Sequence, residues 1–257
     1  MAEKTHEALV DTQFGAQASA YLNSNVHSQG PDLQALAGLV AGKPQARVLD
    51  LGCGGGHVSF AVAPHVGEVV AYDLSAEMLA VVSKAARERG LGNLKTERGV
   101  AENLPFTAAS FDYVFSRWSA HHWRDLDLGV REAARVLKPG GTAVFIDTVA
   151  PAAPLFDTFL QAIELLRDPS HVRDYSRAEW VAVIGRAGLL AGDASERRLR
   201  LEIRSWLERI RTPAVHADAI RALQAAISDG VRRHFAVEAD GSFTIDVLTV
   251  VAAKPAA

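Results

Sequence analysis

The nine residues Val48–Gly56, VLDLGCGGG, constrain this chain more than any other stretch. An apolar run carries one aspartate and then breaks into four glycines within five positions, interrupted by the only cysteine, Cys53. Glycine loses more backbone freedom on folding than any other residue, so such density marks a tight turn or a ligand lying against the backbone. The helical pattern HVSFAVAPHV follows at once. Strand, glycine loop and helix in that order are the cradle of a nucleotide-binding α/β domain.

The rest of the chain keeps the same rhythm of short apolar runs and helical patterns, which predicts a mostly parallel sheet. Strands are expected at RVLDL (47–51), EVVAYDL (68–74), LKTERGV (94–100), FDYVFS (111–116), TAVFIDTV (142–149), SERRLRLEI (195–203) and SFTIDVLTVVAAK (242–254). Between them lie helices over 75–90, with Ser75 as N-cap and Gly90 as stop, and over 127–141, ended by Pro139 and two glycines. SRAEWVAVIGRAGL reads as a helix capped by Ser176 and stopped at Gly188. Two helical pieces precede the sheet, and helical segments at about 151–175 and 205–235 fall outside the alternation. We therefore expect an N-terminal helical arm over 1–46 and a nucleotide-binding domain over 47–257 carrying those two additions.

Two acids say which nucleotide. The dinucleotide frame G-x-G-x-x-G would run Gly52, Gly54 and then His57, so its third glycine is missing. Asp50 stands two residues before the first glycine, where a fixed anion disfavours a phosphate and suits an amine or a sulfonium. Asp73 ends the second strand, where a carboxylate accepts both hydroxyls of a ribose. By itself Asp73 fits a nicotinamide dinucleotide or S-adenosylmethionine equally; with Asp50 it favours the second. Cys53 has no partner base nearby in sequence and reads as a small filler.

VLDLGCGGG, VVAYDLSAEML, AENLPF, FDYVFSRWSAHHW and RVLKPGG follow one another in an order and spacing that resemble the class I S-adenosylmethionine-dependent methyltransferases. The small-molecule branch related to the ubiquinone/menaquinone-biosynthesis enzymes is the most similar. The likeness covers about 47–149. It implies a doubly wound, mostly parallel, seven-stranded Rossmann-like sheet with the last strand antiparallel and extra helices at the N-terminus and between the late strands. It implies that Asp50 holds the methionine amino group, that Gly52, Gly54 and Gly55 let the backbone approach the cofactor, and that Asp73 takes the ribose hydroxyls. Leu74 and Met78 would pack on the adenine, and Ser116 would open the loop toward which the methyl points. Val100 stands where the family carries an acid, so Ala101, through its backbone N–H, and Glu102 are the candidates for the adenine edge.

Methyl transfer from a sulfonium is an in-line displacement, so the protein supplies positioning, water exclusion and, where the nucleophile needs it, a base. His121 and His122 are the candidates for that base; side by side in extended chain they would point opposite ways. Trp118, Arg173 and Tyr175 are candidates for the acceptor pocket, and Tyr21 for a lid. No metal is expected: the nine histidines form no H-x-H or H-E-x-x-H, and there is no cysteine cluster. A net charge of −3 lacks the basic footprint of nucleic-acid binding. No run reaches a membrane span and no signal-peptide core opens the chain, so a cytoplasmic enzyme acting on a small-molecule acceptor is expected, with a homodimer as the candidate assembly. The rival readings are a nicotinamide-dependent oxidoreductase and a non-catalytic cofactor-binding module.

Overall fold

The computed structural model describes residues 5–15 and 30–256. Val48, Leu49 and Leu51 are fully buried because both faces of their strand, β1 (Lys43–Leu51), are covered. β1 lies parallel to β2 (Val66–Asp73) on one side and to β4 (Phe111–Arg117) on the other, with Asp50 opposite Ala71 and Phe115. β3 (Leu94–Arg98) extends the sheet beyond β2, and β5 (Leu137–Ala150) beyond β4. The two-residue β6 (Tyr175–Ser176) pairs with the end of β5. β7 (Leu190–Leu201) and β8 (Phe243–Ala253) complete the order β3-β2-β1-β4-β5-β8-β7, with β8 antiparallel to both neighbours. The expected parallel core and antiparallel last strand are therefore present; the short β6 was not foreseen.

Period-two alternation sends one set of side chains to each face. Val48, Val69, Phe115, Val144 and Ile146 face α2 (Pro31–Val40), α3 (His57–Val62) and α6 (Pro154–Arg167). α8 (Ile203–Glu208), α9 (Ala214–Ala226) and α10 (Asp229–His234) add to that layer. Leu49, Leu51, Val70, Val114 and Phe145 face α5 (Leu126–Val136) and α7 (Arg177–Arg186) on the other side. α4 (Ala76–Glu88) covers Ala71 through Leu79, Val82 and Ala85. Each such fully buried aliphatic side chain contributes ~1.5–3 kcal/mol.

The caps largely follow the sequence. Ser75 accepts from Met78 N, and Gly90 follows α4 at φ +70°. Ser176 and Glu179 form a reciprocal capping box on α7. Three boundaries move. α5 stops at Val136, and KPGG belongs to β5, where Gly140 N donates to the Lys254 carbonyl. β7 starts at Leu190 and ends at Leu201 because Glu202 turns back to cap α8, accepting from Arg204 and Ser205 N. Within the helical addition expected at about 205–235, α9 and α10 are separate, since Ser228 accepts from Val231 N and starts α10. In the N-terminal arm, α1 (His6–Gly15) and α2 are formed. Tyr21 lies outside the described residues. No helix among the described residues is long and apolar enough to cross a membrane.

Candidate active site

The order of strands reverses between β1 and β4, so their carboxyl ends diverge and open a crevice. One cavity occupies it, reaching from Asp73 and Met78 past the glycine loop and His121 to Asp174 and Trp206.

The glycine loop is fixed by the strand beside it. Gly52 N and Cys53 N both donate to the Tyr72 carbonyl, at 2.8 and 3.0 Å. Asp73 accepts from Gly54 N at 2.8 Å and from Ser75 N at 2.9 Å, tying the loop to the start of α4. Its burial raises the carboxyl above its usual range, and these N–H groups pull the other way. Gly52 and Gly56 have φ of +73° and +78°, and neither has room for a side chain: a Cβ on Gly52 would stand 1.8 Å from Ser119 Oγ, and one on Gly56 2.9 Å from Val82. At Gly54, φ +47°, a Cβ would meet nothing within 4 Å. Of these three, Gly54 is the one that borders open space; Gly52 is required by the turn after β4. Gly55 also lines the cavity.

Asp50 lines the cavity at 1% exposure. Its Oδ2 accepts from Ser59 N and Oγ at 2.9 and 2.6 Å, so the acid also anchors α3. Burial pushes its carboxyl up to about 6, against the pull of those two bonds. Leu74, Met78, Ala101 and Glu102 line the cavity together with Val100, whose carbonyl accepts from Tyr72 Oη at 3.1 Å. Cys53 is buried and its thiol is pushed up, which keeps it protonated.

Ser116 is a correction. It sits inside β4, 3% exposed, and does not line the cavity; Arg117, Trp118 and Ser119 do. The strand runs one residue beyond the expected end, so alternation turns Ser116 away. Trp118 adopts φ +56°, a left-handed conformation that costs a non-glycine residue, and its indole Nε1 is buried without a hydrogen-bond partner. Arg117 is held by a buried ion pair with Asp32 of α2, Nε to Oδ2 at 2.6 Å. Nothing in the local sequence of either residue announces that pairing.

The two histidines depart from expectation as well. Residues 120–122 form a 3-10 turn, so both rings line the cavity, with centroids 4.2 Å apart, instead of pointing opposite ways. His121 Nδ1 donates to Asp147 Oδ1 at 2.6 Å. Burial works against a charged ring, but Asp147 overrides it and raises His121 to about 9. His122 Nδ1 donates to the Ser170 carbonyl at 3.1 Å, and burial together with the neighbouring His121 charge lowers it to about 4. At neutral pH the turn thus presents an imidazolium beside a neutral imidazole.

Arg173 and Tyr175 do not line the cavity. Arg173 pairs with Asp157 at 3.0 Å and Glu179 at 3.4 Å, and Tyr175 pairs through β6 with Val149. Their segment contributes Asp168 and Asp174 in their place, while α6 contributes Glu164 and Arg167, and α8 with its C-cap contributes Trp206 and Arg209. Part of each helical addition therefore builds the cavity. α1 adds His6, Glu7, Val10 and Phe14 to its wall. His6 Nε2 contacts the His122 carbonyl at 2.9 Å, and Phe14 packs edge-on to the His122 ring at 4.8 Å.

A doubly wound sheet with a glycine loop, two strand-end acids and one deep crevice defines a Rossmann-like enzyme domain. Comparison with known proteins narrows this. Residues 49–145 match the family described as "Methyltransferase domain". The protein YafE of Escherichia coli (strain K12), named as uncharacterized, is 47% identical over 78% of this chain and 97% of its own. The methyltransferase YcgJ of Bacillus subtilis (strain 168), likewise named as uncharacterized, is 37% identical over 88% of this chain and 90% of its own. The YcgJ crystal structure superposes with a TM-score of 0.84 at 35% identity, over 88% of this chain and 98% of that one. A demethylmenaquinone methyltransferase of Chlorobaculum parvum is 36% identical over 45% of this chain and 46% of its own. The chain belongs to the methyltransferase family, and it is a methyltransferase of class I fold. The nicotinamide-oxidoreductase reading falls with that membership.

Proposed function

We propose that this protein transfers the methyl group of S-adenosylmethionine to a small organic acceptor, with the cofactor along the β1–β2 side of the cavity and the acceptor on the His121 side. The observation that carries this reading is the pair of carboxylates, buried Asp50 and half-buried Asp73, at adjoining strand ends beside a glycine loop with open space at Gly54. Asp73 suits the ribose hydroxyls and Asp50 the cationic amino group. Gly52, Gly54 and Gly55 form the floor. Leu74 and Met78 border the adenine, with the Ala101 backbone and Glu102 at its edge; Val100 supplies an apolar wall where an acid is usual. The unpartnered indole N–H of Trp118 adds a donor for a carboxylate or carbonyl.

When bound, the cofactor supplies an already activated methyl. The chain's own residues position both partners and exclude water. His121, kept charged by Asp147, serves in this reading as a fixed donor that stabilises negative charge on the acceptor rather than as a base. His122, neutral and bonded to Ser170, holds the turn. Within the arm, α1 acts as a cover, since it reaches the His122 carbonyl and ring and ties Glu7 to Arg124 at 2.9 Å.

Calorimetric titration with S-adenosylmethionine, S-adenosylhomocysteine and NADH tests the reading. Saturable binding of the two sulfur compounds, with no heat from NADH, is expected. Binding of NADH alone would overturn the cofactor assignment. A non-catalytic module would bind both sulfur compounds yet form no S-adenosylhomocysteine with any acceptor offered.

A further inference from the structure

Asp174 is a buried acid to which the reading above gives no task. Its backbone is pinned on both sides by one carboxamide: Gln161 Oε1 accepts from Asp174 N at 3.1 Å, and Gln161 Nε2 donates to the Asp174 carbonyl at 2.8 Å. The preceding chain is stitched to the histidine turn, with Val172 N donating to the His121 carbonyl at 2.8 Å. Yet Oδ2 of this residue, which is 2% exposed, has no hydrogen-bond partner. His171 Nε2 is 4.0 Å from it and is already engaged with Gln161 Oε1 at 3.0 Å. A buried carboxyl oxygen left without a partner costs free energy, and a rigid mount that keeps it so points to a ligand.

Sheet order gives the direction. Asp73 ends β2, Asp50 lies near the end of β1, the histidine turn follows β4, and Asp174 precedes β6, which pairs with β5. Across the cavity the groups therefore run Asp73, Asp50, His121, Asp174. Side-chain atoms of His121, Asp147 and Asp174 lie within 4.8 Å of one another. His121 gives Nδ1 to Asp147, so Nε2 is its remaining donor. A donor and an acceptor side by side match a group that both accepts and donates. A hydroxyl does; an ammonium is repelled by the imidazolium and has no lone pair to offer it.

We propose that Asp174 is the catalytic base and that the acceptor presents to it an ionisable hydroxyl, phenolic or enolic, whose oxygen is held by His121. This rests on the methyl-transfer reading. The O–H bond breaks and its proton goes to Asp174 Oδ2. The electron pair released, on oxygen or on the carbon conjugated with it, forms the new bond to the methyl carbon. The methyl–sulfur bond breaks and its pair remains on sulfur, which becomes a neutral thioether. Methylation on carbon then ends with loss of the ring or chain proton to solvent while Asp174 returns its proton to the oxygen, restoring the hydroxyl; methylation on oxygen ends with Asp174 giving its proton to solvent as product leaves. The charged groups around Asp174 are Glu164 and Asp157 on α6, Asp147 on β5, His121 on the turn and His171 in its own segment. Burial and then Glu164 hold the carboxyl well above its ordinary range, while His121 pulls it down. Turnover should accordingly rise with pH as Asp174 ionises.

The test compares wild type, Asp174→Asn and Asp174→Glu on two probes, p-methoxyphenol, protonated at neutral and mildly alkaline pH, and p-nitrophenol, about half ionised at neutral pH and largely ionised in mild alkali, where the two are compared. Formation of S-adenosylhomocysteine is followed across pH. Calorimetric affinity for S-adenosylhomocysteine and the thermal midpoint serve as fold controls. We expect Asp174→Asn to lower turnover of p-methoxyphenol by about 100-fold or more, the scale of a general base. On p-nitrophenol, which needs no base, the loss should stay under about 10-fold. The acidic limb of the p-methoxyphenol profile should disappear, Asp174→Glu should recover part of the loss, and the controls should not move. Equal losses on both phenols, or a wild type that binds S-adenosylhomocysteine yet methylates neither, overturn the proposal. So does turnover abolished by EDTA and restored by Mg2+, which would give these groups to a cation. A wild type that binds no S-adenosylhomocysteine overturns the cofactor reading first, and this proposal with it.

Discussion

The two ends of the cavity are held in opposite ways. On the Asp73 side every fixing bond is given by a backbone N–H: Gly52 and Cys53 to the Tyr72 carbonyl, Gly54 and Ser75 to the Asp73 carboxylate. On the Asp174 side, beside the backbone bond from Val172 N to the His121 carbonyl, they are bonds made by side chains: His121 to Asp147, His122 to Ser170, Gln161 to Asp174, His6 to His122. A site made of backbone tolerates almost no change of shape. A site made of side chains can be retuned one residue at a time, which suits an enzyme whose cofactor is fixed within its family and whose acceptor is its own.

The largest effect should separate two glycines of the same loop. Gly52→Ala must hold φ +73° and place its methyl 1.8 Å from Ser119 Oγ. Strain of ~1–3 kcal/mol and overpacking of similar size add to a loss of about 2–6 kcal/mol in urea unfolding. Gly54→Ala, at φ +47° with nothing within 4 Å, should lose only about 1 kcal/mol while weakening S-adenosylhomocysteine binding. Similar stability losses for both would end the distinction between the structural and the ligand-facing glycine.

That distinction also explains what the sequence made legible. Backbone constraints leave a local mark: glycines at Gly52–Gly56, an acid at each strand end, Ser75 and Ser176 before their helices. Parallel strands buried on both faces read as apolar runs, so β1, β2, β4 and β5 were recognisable, and the antiparallel β8 was recognisable by its β-branched run. Side-chain networks leave none. In sequence Asp147 is one acid within an apolar run, Gln161 one polar residue in a helical pattern, and Asp174 one charge among several in RDPSHVRDY, so none stands out. Arg173 and Tyr175 were the right segment but the wrong faces. Ser116 and the histidine pair were misread because one more residue of strand, and then a 3-10 turn, reset the alternation.

An intermediate effect should localise cofactor recognition. Asp73→Ala removes a carboxylate that bridges Gly54 and Ser75 and that we assign to the ribose. S-adenosylhomocysteine affinity should fall by ~1–3 kcal/mol, the scale of a lost charge-assisted hydrogen bond. His121→Gln, on the other side, should leave that affinity within about 2-fold while lowering turnover. An Asp73→Ala variant with unchanged affinity would break the assignment of the two ends.

The smallest effect sharpens the acceptor end from within. His121, at about 9, lies above the ordinary histidine value of 6.5, so the folded state holds a proton that the unfolded chain releases. Its contribution to stability is full below 6.5 and is lost as pH rises toward 9. His122, at about 4, has the opposite sign: its contribution is full above 6.5 and is lost as pH falls toward 4. Urea unfolding between about pH 5 and pH 9 should therefore show an alkaline loss on the order of 1–2 kcal/mol that vanishes in His121→Gln. The acid loss due to His122 should vanish in His122→Gln. The two variants are not mirror images. The His121 charge helps hold His122 down, whereas Asp147, and not His122, sets His121. His121→Gln should thus soften the acid loss as well, while His122→Gln should leave the alkaline loss intact. Equal and independent effects of the two substitutions would show that the turn holds two separate histidines and not one charge governing its neighbour.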